Sequence, residues 1–389
     1  MKQSIRVRDI ISYMLVIIFA LLFLFIGNRI ASQNMIEFQN DDFLKANARI
    51  LEIVDVTEHY DEWMHATIIT FEARITSGEH RNEIVTATQS LGDAWGIEPV
   101  EISVGDNVQL ALVHTFFDSP EEWIYFDHVR INQIIILGAV FVLLLLLFGK
   151  GKGFNAIISL GFTCAAIFTV LIPAILSGKN IYISSIIVCA FAVVITLFIL
   201  NGVNKKSLAA IIGCLGGVIA AGIITLIMDS TLQLTGMIDS DSRYLTFLPT
   251  ENPIDLRALI FAGIIIGAVG AIMDVAVSIS SALWELKTQA PKLTFRKLYS
   301  SGINIGKDIM GSMTNTLVLA YIGSSLTVIL LLVVYSGSFS ELFNREMVIV
   351  ELLQALIGSL GILLTMPLTA LVCAGFYSKK LWTSIAIQK

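Results

Sequence analysis

The stretch from Ala258 to Trp284 is long enough to cross a lipid bilayer as a helix, and Asp274 is its only ionisable residue. Ten residues separate Asp274 from Trp284, a typical interfacial anchor, so the carboxyl group is expected about 15 Å inside the membrane. An ionised aspartate at that depth costs roughly 2.5–3.5 kcal/mol on insertion scales. The side chain must therefore be protonated, be paired or face a water-filled cavity, and ion or proton conduction is the natural reason to keep it there.

Long apolar stretches recur along the whole chain. Of the 389 residues, 56% are hydrophobic and only 14% are charged, which excludes a soluble globular protein. Each stretch approaches or exceeds the ~17–20 residues that a helix needs to cross the hydrocarbon core. Eight spans are predicted, at residues 10–27, 132–148, 155–176, 181–200, 207–228, 257–284, 310–335 and 347–376. The four cysteines all fall inside these spans, so neither a disulfide scaffold nor a cysteine metal site is expected.

The basic residues set the orientation of this eight-span arrangement. One side of it carries 15 of the 25 Lys and Arg residues, and the largest group lies in a predicted loop at residues 285–309. By the positive-inside rule this side is cytoplasmic, so both termini are predicted to be cytoplasmic and residues 28–131 to lie outside. The first span is predicted to be an uncleaved anchor rather than a signal peptide, because Arg29 interrupts the small-residue pattern of a cleavage site.

The only sizeable polar segment lies between the first two spans. Short β-like runs there alternate with turn signals such as Gly105-Asp106, which predicts a small barrel of the OB or SH3-like kind. The predicted fold class is therefore a mainly α-helical membrane protein with about eight transmembrane helices and an extracytoplasmic β-barrel-like domain between helices 1 and 2. The predicted segments are the N-terminus and anchor helix (1–27), the acidic β-rich domain (28–131), a seven-helix membrane domain (132–378) and a cytoplasmic tail (379–389).

The external segment is strongly acidic. It carries 19 acidic against six basic residues, together with all five histidines of the chain. One interpretation is a cation or metal docking site on the outer face, and the plainer one is an acidic, solvated surface with scattered histidines. No histidine pair has the spacing of a zinc motif, so no metal ligand and no cofactor are predicted.

Polar residues follow Asp274 on the same helix and on the next one. Ser278 lies four residues after Asp274 and shares its helix face, and the following span brings Asn315 and Thr316 to a similar depth. Asp308 is expected nearer the cytoplasmic edge. These five residues form the predicted site for an ion, a proton or a substrate. The alternative for Asp274 and Asn315 is a structural hydrogen bond between helices.

Glycines at a spacing of four residues occur in two of the later spans. Gly213 and Gly217 form one pair, and Gly263 and Gly267 form the other. Small residues at this spacing let helix backbones approach closely in a membrane. All four glycines are therefore predicted to be helix-packing positions.

Four sequence blocks resemble the YibE/F family of bacterial multi-span membrane proteins. They are GKGFNAIISLGFT (151–163), NGVNKKSLAAIIGCLGG (201–217), FAGIIIGAVGAIMDVAVSISSALWELK (261–287) and SGINIGKDIMGSMTNTLVLAYIGSSL (301–326). The resemblance covers roughly residues 130–376, and the N-terminal anchor and external barrel resemble the longer members. It implies a multi-pass protein of the bacterial cytoplasmic membrane without an established activity, and the architecture of the family suggests permease-like behaviour. The positions typical of the family include Asp274, Glu285, Asn304, Asp308, Asn315 and Gly323.

Three functions compete on these observations. The favoured one is an ion- or proton-coupled transporter or permease with an extracytoplasmic accessory domain. The alternative is a non-transporting sensor or envelope scaffold protein whose external domain binds a ligand or partner. An intramembrane enzyme is disfavoured, because Asp274 and Asp308 are expected at different depths and the spans lack histidine, so no enzymatic activity is predicted. The expected partners are the lipid bilayer, a small solute or ion, and a second copy of the chain or a related membrane protein, with no nucleic acid.

Overall fold

The protein consists of two compact units in a computed structural model. The structure describes residues 7–33, 35, 44–61, 64–92, 100–114, 121–238, 240–248, 253–335 and 337–378. One unit is Glu37–Leu145, and the other combines Met1–Ile36 with Leu146–Lys389. The predicted cytoplasmic tail at 379–389 lies outside the described residues.

The first unit contains a closed five-stranded barrel, which confirms the predicted small barrel. Its strands are β1 (Leu44–Asp61), β2 (Met64–Ile75), β3 (Ile84–Gly92), β4 (Asn107–His114) and β5 (Glu121–His128). They pair in the order β1-β2-β3-β5-β4 and close through the β1–β4 pair. The β3–β5 pair is parallel and the others are antiparallel. This arrangement is a five-stranded Greek-key barrel of the OB type.

The alternation of side chains along the strands fills the barrel. Ile50, Ile69, Phe71 and Leu110 point inward and are almost completely buried, as expected when every second residue faces the core. Gln89 is also buried, at 1% exposure. Its amide donates to the Val100 carbonyl (2.9 Å) and accepts from the Ile102 N–H (3.1 Å), so its burial leaves neither group without a partner.

Helices make up most of the rest of the chain. They are α1 (Val7–Ala31), α2 (Ile131–Ala166), α3 (Ile172–Leu176), α4 (Ile181–Asn201), α5 (Lys205–Leu232), α6 (Ser240–Thr246), α7 (Leu256–Gln289), α8 (Phe295–Ser324), α9 (Leu326–Tyr335), α10 (Phe339–Asn344) and α11 (Glu346–Ser378). A π-helical turn at Ile167–Leu171 joins α2 to α3. Helices α4, α5, α7 and α11 share the largest apolar core.

Six helical runs within the described residues are long and apolar enough to cross a membrane. Where two separate spans were predicted, at 132–148 and 155–176, the structure has one run of 46 residues, Ile131–Leu176. Its backbone leaves helical geometry at Lys150, with φ 48° and ψ −129°. At 1.5 Å per residue this run is about twice as long as a hydrocarbon core is thick. The number of spans therefore stays a prediction.

The pair α8 and α9 adds a seventh candidate span if the two are counted together, and the helices meet at an angle of 64°. Here the expected boundaries were wrong. Residues 285–309 were predicted to form a loop, but α7 continues to Gln289 and α8 begins at Phe295. The many polar residues of the first half of α8 hide a helix from a search for apolar runs, although they occupy only one of its faces.

A loop contact fixes the end of α5 against the start of α11. The Glu346 carboxylate accepts hydrogen bonds from the N–H groups of Thr235 (2.7 Å) and Gly236 (2.6 Å) and from the Thr235 hydroxyl (2.7 Å). Gly236 has a positive φ of 86°, and a Cβ there would overlap Leu256. The turn therefore requires glycine and holds the starts of α7 and α11 close together.

Candidate functional site

Helix α11 packs closely against α5 through small residues. A Cβ added at Gly213 would overlap Thr369, and one added at Gly217 would overlap Thr365. The Thr365 hydroxyl turns back to the Gly361 carbonyl of its own helix (2.7 Å), so the contact needs no hydrogen bond between the helices. This interface brings two backbones together without space for even one methyl group.

The same helix packs against α7 and α8. A Cβ at Gly361 would lie 2.7 Å from Ile272 of α7, and one at Gly302 would lie 2.7 Å from Ala370. Gly306, one turn further along α8, faces Met366 in the same way. Helices α7 and α8 are therefore held on α11 at fixed heights.

Two contacts set the register between α7 and α8. A Cβ at Gly302 would lie 2.9 Å from Leu283, and one at Gly267 would overlap the Tyr321 hydroxyl. The two helices are thus antiparallel. Counting from both contacts places Asp274 level with residues 311–314 of α8, so its carboxylate and the polar middle of α8 lie at one depth.

The face of α7 that carries Asp274 is open except at Gly267, where the Tyr321 hydroxyl lies. Gly263, Gly267, Gly270 and Asp274 are all exposed and follow each other at spacings of four, three and four residues, so they form one stripe along the helix. No atom lies within 4 Å of the Cβ position at Gly263 or Gly270. Any packing partner for Gly263 would therefore have to come from outside the described chain.

Asp274 has no hydrogen bond or ion pair with any residue that the structure describes, and its side chain is exposed. The opposite face of the same helix is fully buried, with Ile272, Val275, Ala276 and Ile279 in the core. The helix thus carries its one central carboxylate on the face that the core residues leave exposed. In a bilayer such a group needs water, a proton or a partner on that side.

Helix α8 presents a polar face of its own. Asn304, Asp308, Gly311, Ser312 and Asn315 are exposed, whereas Leu298, Gly302 and Gly306 are buried on the other side. The spacing of three to four residues makes the exposed set a continuous stripe. A polar stripe therefore extends along α8 from the level of Asp274 toward the start of that helix.

The five predicted site residues lie at similar heights, but no hydrogen bond joins any two of them within the described residues. Asn315 and Thr316 lie within about one turn of the Asp274 level, and the Thr316 hydroxyl donates to the Ser312 carbonyl (2.8 Å). Ser278 is half-buried and level with Asp308. Asp308 was expected nearer the cytoplasmic edge than Asp274, and this stays a prediction. It lies in the fourth turn of α8, about 6 Å in height from Asp274.

Other polar residues near α7 were not part of the predicted site. Tyr321 places its hydroxyl against Gly267. Ser280 donates to the Lys206 carbonyl (2.8 Å) and lies 3.0 Å from the hydroxyl of the fully buried Tyr377. These contacts join residues that are far apart in the chain, so no local sequence pattern predicts them.

The barrel contains a second polar region. The His128 ring lies 2.6 Å from the Tyr125 hydroxyl and 3.6 Å from the Asp106 carboxylate. Arg130 donates two hydrogen bonds of 2.8 Å to Asp127, and these bonds, together with the His128 backbone N–H, lower the pKa of Asp127. Burial, followed by the Asp127 charge, raises the pKa of Tyr125.

The sequence left two interpretations of the external histidines, a metal or cation docking site and a solvated acidic surface. Across the described residues, no group of three or more His, Cys, Asp or Glu side chains is placed to hold a metal ion. His80 lies 2.9 Å from Glu83, far along the sequence from the His128 contacts. The side chains of His59, His65 and His114 lie outside the described set.

Comparison with known proteins places most of the helical part in one family. The pattern of the YibE/F-like protein family matches residues 137–379, more than half of the chain, and includes α7, α8 and α11. No curated protein and no solved structure gives a match. The match agrees with the resemblance carried by the four sequence blocks. The chain belongs to the YibE/F-like protein family.

Proposed function

We propose that the protein is a transporter of the bacterial cytoplasmic membrane that moves an ion or a proton, alone or with a small solute. The observation that carries this proposal is Asp274, a carboxylate near the middle of a candidate span that is exposed and unpaired within the described chain. Such a residue is expensive in lipid. A cation or proton that binds there would offset this cost while it is bound.

The polar stripe of α8 supplies a route to that carboxylate. From Asn304 to Asn315 it extends over eleven residues, about 16 Å of helix. Its side chains offer amide and hydroxyl oxygens to a partly dehydrated cation and hydrogen bonds to water. In this proposal Asp274 binds the coupling ion, and Asn315, Ser278 and Thr316 complete the site. Asp308 lies on the path to the cytoplasm.

The orientation is part of the proposal and rests on the distribution of basic residues. Both termini would be cytoplasmic and residues 28–131 would lie outside. The acidic barrel would then concentrate cations at the outer surface, since this segment has 13 more acidic than basic residues. Its role is that of an accessory domain, which gathers or admits the substrate.

The test is ion flux in vesicles that contain the purified protein. Wild type, Asp274→Asn and Asp241→Asn would be incorporated at equal density, and proton or cation uptake measured under an imposed gradient. Asp241 is the matched control, because it is an exposed aspartate of the short helix α6. We expect flux in wild type and in Asp241→Asn. Flux in Asp274→Asn should fall at least about tenfold, which equals ~1.4 kcal/mol of activation free energy. Equal flux in all three proteins would contradict a coupling role for Asp274.

A non-transporting sensor is the second candidate, and the barrel favours it. A polar cleft of about 330 Å³ is lined by Asp106, Asn107, His128 and Arg130, among others, a mixture of charges that suits a small polar ligand. This function predicts no flux in wild type under any gradient. It also predicts that damage to His128 abolishes ligand binding whereas Asp274→Asn leaves binding unchanged.

A further inference from the structure

An apolar groove lies beside α1. Its volume is about 530 Å³, and its walls come from α1, from the π-helical turn with α3, and from the start of α4. Phe19, Ile26 and Ala31 line it along α1, and Ser184 and Ile187 line it on α4. The volume lies within the range of roughly 300–1,000 Å³ that is usual for ligand-binding sites.

The helices that line the groove have a defined relative direction. Tyr13 of α1 donates to Asn155, which in turn donates to the Ile199 carbonyl near the end of α4. Further along α1, Phe23 stacks on Phe191 at 4.0 Å. Helices α1 and α4 are therefore antiparallel, and the C-terminal end of α1 lies beside the start of α4. The groove is closed at its side by Val170, whose Cγ2 would lie 3.0 Å from a Cβ at Gly27.

Its length matches one leaflet. From Phe19 to Ala31 the groove follows twelve residues of α1, about 18 Å of helix. Half of a hydrocarbon core is about 15 Å. A groove that begins at a helix end and extends over this distance has the dimensions of a single acyl chain that descends from its headgroup.

Two cations lie near this end of the groove, one in its lining and one in the last turn of α1 between lining residues. Lys179, in the short connection between α3 and α4, lines the groove and is half-buried, and Arg29 is exposed in the last turn of α1. Neither forms an ion pair with a residue in the described part of the chain. A lysine whose stem lies along apolar surface keeps its ammonium group at the interface, where an anion can meet it.

We propose that this groove binds one anionic phospholipid, with an acyl chain along α1 and the phosphate at Lys179 and Arg29. The positive charge at the end of the groove favours an anionic lipid over an apolar helix of the chain as the occupant. The first half of α2, residues 131–149, is apolar and exposed, but it contains no acidic residue that could pair with the two cations. An anionic headgroup satisfies the cations, and its acyl chain covers the apolar wall.

The experiment is native mass spectrometry of the full chain in mild detergent, with equal amounts of phosphatidylglycerol and phosphatidylcholine that carry the same palmitoyl and oleoyl chains. We expect wild type to retain one phosphatidylglycerol with at least about fivefold preference. Lys179→Gln should reduce this preference to near one. Lys205→Gln, an exposed lysine at the start of α5, is the matched control and should keep it.

A second variant tests the groove rather than the charge. Ser184→Phe places a ring in the groove and should remove the retained lipid, whichever headgroup it carries. Two results would overturn the proposal. One is wild type that retains no lipid, and the other is a phosphatidylglycerol preference that is as strong in Lys179→Gln as in Lys205→Gln. Because the Lys179 variant removes only an interfacial charge, its result does not depend on whether Ser184→Phe folds.

Discussion

Two glycine-containing helix faces of this protein have different surroundings. On α5, Gly213 and Gly217 meet Thr369 and Thr365 so closely that a single methyl group would overlap the partner. On α7, Gly263 and Gly270 have open space where a side chain would be, and the same stripe ends at Asp274. The first face is covered by α11, whereas no described residue covers the second at Gly263 and Gly270.

The difference shows what a small-residue motif means inside a membrane. Helices gain little from the hydrophobic effect there, so close backbone approach supplies the packing energy. At α5 and α11 that approach is realised within one chain. At α7, Gly263 and Gly270 instead leave room along the face that carries an unpaired carboxylate, as the proposed path for water or an ion requires.

The largest expected effect is on the closed face. Gly217→Ala should lower the free energy of unfolding by about 1–3 kcal/mol, because the new methyl group overlaps Thr365 and lies 3.2 Å from Ile272. Gly270→Ala is the matched control on the open face and should change stability by no more than about 1 kcal/mol, in the stabilising direction that alanine favours in a helix. Thermal unfolding in detergent, followed by loss of the monodisperse peak, measures both.

A double variant identifies the cause of that loss. Thr365→Ala removes the hydroxyl that a methyl group at position 217 would meet. The two changes together should therefore cost less than the sum of the single changes. Equal destabilisation by Gly217→Ala and Gly270→Ala would erase the contrast between the two faces.

A smaller effect is expected at Asn315, on the polar stripe of α8. Asn315 is exposed and has no hydrogen bond with a described residue, so Asn315→Ala should change stability by less than about 0.5 kcal/mol. Flux should fall about five- to tenfold, the equivalent of one hydrogen bond of roughly 1–1.4 kcal/mol to the moving ion. Leu319→Ala, one turn further along the same exposed side, should leave flux unchanged, and a loss of flux there would show that the stripe has no specific role.

Much of the architecture could be predicted from the sequence because its signals are local. Apolar runs marked the helices, and alternating β-like runs between turns marked the barrel. The start of α8 could not be predicted in this way. Its polar face interrupts the apolar run from Phe295 onward, and only contacts such as Gly302 with Ala370 show that its other face is buried.

The candidate site was less accessible to sequence reasoning. Asp274 stands out in any hydropathy pattern, but the direction in which its helix face points depends on which neighbours cover α7. Four glycines at one spacing were assigned a single role, although two of them meet threonines and Gly263 meets open space. That Asp308 lies within a helix that begins at Phe295 was not predicted, because the boundary of this helix could not be found from the apolar pattern.

Cysteine accessibility tests most directly whether the α7 face is wet. In a background with all four native cysteines changed to alanine, three single cysteines would be compared at similar depth. They are Gly270→Cys on the open stripe, Ile219→Cys on an exposed apolar side of α5, and Ala276→Cys in the core. A water-soluble maleimide reacts with the thiolate, which forms only where water reaches.

The account predicts that Gly270→Cys reacts at least about tenfold faster than Ile219→Cys, while Ala276→Cys stays unlabelled. Ile219 is the decisive comparison, because it is 54% exposed at nearly the same level as Gly270 but lies on an apolar surface. If Gly270→Cys reacts no faster than Ile219→Cys, the glycine stripe and Asp274 face lipid or a dry partner, and the proposed polar path does not exist.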